Sequence, residues 1–182
     1  MDTLDHMKLE LVALLPRLRR FAKTLTHNAP DADDLVQDAC LRAIARHTRW
    51  DPSQPLDRWM FRMLRNLWIS DLRKRQVRTG KGLVAAEEAP ELITLEGGES
   101  AVLHRDLSLS ISDLPSELGS VLLLVAAEGY SYRETAELLS IPIGTVMSRL
   151  YRARHMLAAR LTREDASECA ASKFSGRHRK IA

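Results

Sequence analysis

The chain has 182 residues, enough for one medium domain or two small ones, and an apolar content of 45% can give each a core. Aromatic residues make up only 5% while Leu, Ala and Arg abound, which suits small helical units and argues against an all-β fold. The formal net charge of +3 is the remainder of large opposing blocks: residues 1–76 hold 14 basic and 10 acidic side chains, 77–105 hold 3 and 5, 106–163 hold 6 and 6, and 164–182 hold 4 and 3.

In chain order, Leu11, Leu14, Leu18, Phe21 and Leu25 recur at helical spacing, and Pro16 among them predicts a helix in two pieces. Leu35, Val36, Ala39 and Ala43 continue the helical pattern, with Asp31 as the expected N-cap. The prolines of WDPSQP, Trp50 to Pro55, predict a loop. Beyond it, Trp59, Met60, Met63, Leu64 and Leu67 predict a third helix that either breaks near Asn66 or runs on to Arg75. Between Val77 and Ser100 the composition turns to glycine, alanine and glutamate without a period, which predicts a flexible linker and a domain boundary. Gly80, Gly82 and Ala85 match a dinucleotide-binding fingerprint, but a basic helix and no strand precedes them, so the match carries no weight. Leu103, Leu107, Ile111 and Leu114 fit a helix, and Pro115 opens another that Gly129 ends. Ser131 and Glu134 form a capping box for a short helix to about Leu139. Ser140-Ile-Pro142 breaks it, and a last helix runs from Ile143 or Gly144 to about Leu161, giving a helix-turn-helix with a basic second member. The tail from Glu164 is expected to be disordered.

The longest apolar run, Val121 to Ala127, is far short of the roughly 20 residues of a membrane span. The opening MDTLDHMK lacks the basic-then-apolar plan of a signal peptide, so the expected location is cytoplasmic with no membrane insertion. Cys40 and Cys169 stand apart from each other and from any histidine pair, so no metal, cofactor or disulfide framework is expected. No nucleophile elbow, zinc-helix or phosphate-loop pattern supports an enzyme.

Helical geometry sorts the remaining polar residues into three surfaces. On the second helix Asp34, Asp38, Leu41 and Ala45 share an arc opposite the apolar one, and an exposed leucine beside carboxylates suits a basic protein partner. On the third, Arg62, Arg65, Asn66, Ile69 and Arg73 form a stripe ending in Lys74 and Arg75, with Trp50 and Trp68 nearby in sequence. Cations, an amide and aromatics together suit unstacked DNA. On the last helix Val146, Leu150, Ala153 and Leu157 pack while Thr145, Ser148, Arg149 and Arg152 face away, residue types that reach base edges and phosphates in a major groove.

DADDLVQDACLRAI (31–44), DRWMFRMLRNLWISDLRKR (57–75) and GYSYRETAELLSIPIGTVMSRLYRARHML (129–157) resemble regions 2.1–2.2, 2.3–2.4 and 4.2 of bacterial sigma factors of the extracytoplasmic-function (ECF) group. The resemblance covers about residues 8–162 and implies an all-α protein of two small helical domains joined by a flexible linker: region 2 over 8–76, linker 77–102, region 4 over 103–163, tail 164–182. It implies core RNA polymerase as partner, through the β′ clamp helices and the β flap, together with promoter DNA and an anti-sigma factor. Asp34, Gln37, Asp38 and Leu41 match the polymerase-docking face. Trp50, Arg62 and Asn66 match the pocket for a flipped −10 base, with Arg73, Lys74 and Arg75 on the backbone. Ser148, Tyr151 and Arg152 match the −35 base-reading positions, with Thr145 beside them and Arg149 and Arg154 on phosphates. Two departures stand out: Met147 replaces a common Arg or Lys, and Ser140 stands where the turn often has Gly. Within the ECF group, the LPRLRRFA opening and the DRWMF segment look closest to proteobacterial stress-response factors. The competing readings are a helix-turn-helix regulator acting alone on duplex DNA and a sigma mimic that titrates an anti-sigma factor.

Overall fold

Three helices make the N-terminal unit: α1 (Thr3–Thr26), α2 (Ala29–Ala45) and α3 (Leu56–Thr79), with a 3₁₀ turn at His47–Arg49. The computed structural model describes the backbone of residues 3–79 and 114–175, with side chains over 4–77 and 114–159. The glycine motif, nearly all of the expected linker and the helix expected from Leu103 lie outside the described residues. Apolar residues three and four apart on each helix point inward. Leu11, Leu14, Leu18 and Phe21 of α1 meet Leu35, Val36, Ala39 and Ala43 of α2 and Met60, Phe61 and Leu64 of α3. Each fully buried Leu or Phe contributes roughly 1.5–3 kcal/mol.

Two helix details differ from expectation. Helix α1 runs unbroken through Pro16. The missing amide hydrogen bond costs about 3 kcal/mol in an isolated helix, and the buried residues on either side of Pro16 belong to one continuous face that offsets it. Helix α2 starts at Ala29 with Asn28 as N-cap, because Pro30 falls naturally in the first turn; Asp31 sits inside that turn, where its charge favours the helix dipole. Helix α3 passes Asn66 without a break.

The C-terminal unit contains α4 (Ser116–Leu122), a π-helical turn at Leu123–Ala127, α5 (Tyr132–Leu139) and α6 (Ile143–Ser175). Pro115 caps α4, and Gly129 at φ 75° ends the π turn. The capping box of α5 is formed in full: Ser131 Oγ accepts from the Glu134 N–H, and Glu134 accepts from the Ser131 N–H at 2.8 Å. Those hydrogen bonds, with Arg58 beside them, hold the Glu134 carboxyl below the usual range. Helix α6 extends to Ser175, well past the expected end near Leu161 and into the segment expected to be disordered, because no glycine or proline interrupts residues 145–175. Among the described residues there is no strand.

The two units share one buried cluster instead of keeping separate cores. Tyr130 lies edge-on to Phe61, which in turn lies edge-on to Phe21, at centroid distances of 6.0 and 5.1 Å. Around this column Arg17 pairs with Glu128 and with Asp57 at 3.0 Å, Arg20 reaches Glu128 at 3.3 Å, and Arg58 pairs with Glu134.

Ser140 closes α5 in the left-handed region at φ 48°, ψ 50°, which costs an L-residue roughly 1–2 kcal/mol. Ser140→Gly is therefore expected to stabilise the protein by up to about 1 kcal/mol, read as a raised midpoint in chemical denaturation; a lowered midpoint would mean the serine hydroxyl holds the turn.

Candidate nucleic-acid interface

Helix α2 turns Leu35, Ala39 and Ala43 into the core, so Asp34, Gln37, Asp38 and Leu41 stand outside by helical geometry. Leu41 is 66% exposed, and Asp38 accepts a hydrogen bond from Arg42 at 3.1 Å. The face continues across a shallow groove onto α3, where Trp68, Asp71 and Arg75 form the far wall. Sequence reasoning missed this extension because the two walls lie 27 or more residues apart in the chain.

Along α3, Arg62, Asn66 and Arg73 are exposed and share one arc. Lys74 sits a quarter-turn or more away beside Asp71. Arg75 is across the helix with its guanidinium over the Trp68 ring, so it belongs to the α2 groove and not to the stripe. Trp50 is a second correction. At 6% exposed its indole is core, stacked with His6, and its Nε1–H donates to the Gln54 carbonyl at 3.1 Å. It shapes the loop over residues 51–55 and offers no free stacking face. Asp51 completes that loop by accepting from the Ser53 N–H at 2.9 Å, which holds its carboxyl below the usual range.

The helix-turn-helix presents α6 with Val146, Leu150, Ala153 and Leu157 buried against α4 and α5. Tyr151 and Arg154 are exposed, while Thr145, Ser148, Arg149 and Arg152 are half-buried. Ser148 Oγ donates to the Thr145 carbonyl at 3.1 Å. Ile143 and Met147, at positions i and i+4 from each other and from Tyr151, add an exposed apolar ridge. Burial, together with the like charge of Arg149 nearby, lowers the Arg65 pKa. The structure thus brings the two basic surfaces together, a proximity that their 84-residue separation in sequence conceals. Among the described residues there is no cluster of three metal-ligating side chains and no helix long and apolar enough to cross a membrane.

Residues 11–78 match the family model of sigma-70 region 2, and residues 104–157 match that of sigma-70 region 4. The chain is 37% identical over 164 residues to the ECF RNA polymerase sigma factor EcfG of Rhodopseudomonas palustris, covering 88% of each. The chain belongs to the ECF RNA polymerase sigma factors. Within that family it is also 30% identical to SigW of Bacillus subtilis, over 74% of this chain and 77% of the relative. The sigma factor RpoE of Bartonella quintana, solved in complex with the anti-sigma factor NepR, matches at TM-score 0.64 and 31% identity, over 85% of this chain and 96% of that one. CnrH, solved with the cytosolic domain of CnrY, shares the fold at TM-score 0.56 and 23% identity, over 86% and 87% of the two chains. As a sigma factor, the chain has an all-α fold in which region 2 is the α1–α3 unit and region 4 carries the helix-turn-helix.

Because Trp50 is core, Trp50→Ala is expected to lower stability by about 3 kcal/mol, and Trp50→Phe by less, in chemical denaturation. A Trp50→Ala protein of unchanged stability would return the indole to the list of free surface groups.

Proposed function

We propose that this sigma factor docks on core RNA polymerase through the α2 face, reads the −10 element with the α3 stripe, and reads the −35 element with α6. The division of labour follows from charge. Asp34, Gln37, Asp38 and Leu41 offer carboxylates around an exposed apolar centre, a surface that repels DNA and suits the basic β′ clamp helices. Arg62, Asn66 and Arg73, with Lys74 at the edge, supply cations and an amide to an unpaired strand and its flipped base. Thr145, Ser148, Tyr151 and Arg152 meet base edges, and Arg149 and Arg154 hold phosphates. The observation that carries the reading is this segregation: the acidic-apolar face and the basic stripe occupy different sides of one three-helix unit.

In this reading residues 8–76 form the core-docking and −10 unit, 77–102 the linker, 103–163 the −35 unit, which also contacts the β flap, and 164–182 a tail. The protein works in the cytoplasm without cofactor or chemistry of its own. An anti-sigma factor is its expected regulator in a stress or environmental response; the similar sigma factor RpoE of Bartonella quintana was solved with such a partner.

The deciding experiment adds the purified chain to core polymerase and maps transcripts; promoter-dependent initiation is expected. A chain that shifts duplex DNA by itself and never associates with core polymerase would be a stand-alone regulator, and one that binds an anti-sigma factor without supporting initiation would be a mimic. Asp38→Arg is expected to weaken core binding at least tenfold with the fold intact, as opposite charges become like charges across the dock. Arg152→Ala is expected to cost about 1–3 kcal/mol in discrimination among −35 sequences, read from competitive promoter binding by the holoenzyme. A uniform loss across sequences would make Arg152 a phosphate contact.

A further inference from the structure

Region 4 occupies the same end of region 2 that the −10 reading needs. Arg58, Arg62 and Arg65 fall at i, i+4 and i+7 on α3; region 4 covers the first, where Glu134 pairs with Arg58, and brings the Arg149 charge near the third. Glu128, whose side chain is only 2% exposed, sits between Arg17 and Arg20 of α1. The π turn sets this up, since its i→i+5 hydrogen bond from the Glu128 N–H to the Leu123 carbonyl, 3.0 Å, fixes where α4 releases the glutamate.

We propose that Glu128 is the latch of a closed, DNA-excluding state of the free chain, with Arg17 and Arg20 as its keepers. The inference rests on the assignment of α3 and α6 as the −10 and −35 readers. Two promoter elements about 25 base pairs apart are separated by roughly 85 Å of duplex at about 3.4 Å per base pair. Glu134 pairs with Arg58 and Tyr130 packs on Phe61, which holds region 4 against α3, so this arrangement cannot engage both elements at once. The closed state therefore has to open before promoter binding. It is balanced to do so: Arg17 and Arg20 attract Glu128, while Arg65 and Arg149 repel. Burial works against the charge on Arg17, yet Glu128 and Asp57 leave its pKa raised, so this keeper stays ionised. The keepers and Arg58 are held by carboxylates that stand where phosphate oxygens would stand on an open chain.

The test uses the free full-length chain, small-angle X-ray scattering for size, and a random 30-base-pair duplex at low salt as the DNA probe. Glu128→Gln is expected to enlarge the chain and to bind the duplex about tenfold more tightly than wild type, since the buried carboxylate that holds Arg17 and Arg20 loses its charge and both basic surfaces are released. Glu137→Gln makes the same change of charge at an exposed site paired with Arg133 of its own helix, and is expected to leave size unchanged and affinity nearly so. Arg17→Gln separates the latch from simple charge. It removes a cation, yet is expected to raise DNA affinity, because Glu128 loses its main partner. The proposal is overturned if Glu128→Gln matches Glu137→Gln in size and affinity, or if Arg17→Gln binds DNA more weakly than wild type. Circular dichroism of each variant confirms helix content. Promoter-dependent transcription by the wild-type holoenzyme is read separately, so loss of the latch and loss of the sigma reading give different results.

Discussion

The contact on which this arrangement turns is the one between Glu128 and the two arginines of α1, closed over the Phe21–Phe61–Tyr130 column. The pair is lopsided: the Glu128 carboxylate is buried and depends on the two guanidinium groups, while Arg17 and Arg20 keep contact with solvent and Arg17 also holds Asp57. The aromatic column beneath supplies nonpolar contact that is present whatever the ionic state. Tyr130 belongs to both systems: it packs on Phe61, carries the Arg58 guanidinium 5.8 Å above its ring, and burial with the nearby Asp57 carboxylate pushes its phenol above the usual range. A hydrophobic column gives adhesion, and the charges around it give register.

Each functional surface is the outward side of a helix whose inward side is fixed by packing. Because Leu35, Ala39 and Ala43 must face α1, Asp34, Asp38 and Leu41 have no alternative but solvent. Because Met60, Phe61 and Leu64 must face the core, Arg62 and Asn66 cannot. The same logic removes Trp50 from the contact surface: an indole stacked with His6 is worth more buried than exposed, and its one polar group finds a carbonyl within the loop it shapes. The tryptophan still bears on DNA capture, through the shape of the loop over 51–55.

Much of this was legible from periodicity. The helices, the helix-turn-helix with its capping box, the acidic-apolar face of α2 and the basic stripe of α3 follow from 3.6-residue spacing and local chemistry, which depend on near neighbours in sequence. The left-handed Ser140 was foreshadowed only by the family resemblance, in which that turn often has glycine. Packing outweighed the local rule at Pro16, where one continuous buried face carries α1 through the proline; at Asn28 and beyond Leu161 a different local signal won, Pro30 in the first turn of α2 and the lack of a helix breaker in α6.

What the amino-acid sequence determined by itself, then, is which residues form helices and which side of each helix is apolar, acidic or basic; that information resides within one or two turns. Only the tertiary structure decided how those sides meet. It set Arg75 over Trp68 on the docking groove, placed Trp50 in the core, and brought Glu128 to Arg17 and Arg149 to Arg65. Those pairings join residues up to 111 positions apart, and their energy comes from desolvation and long-range packing, which no local spacing encodes.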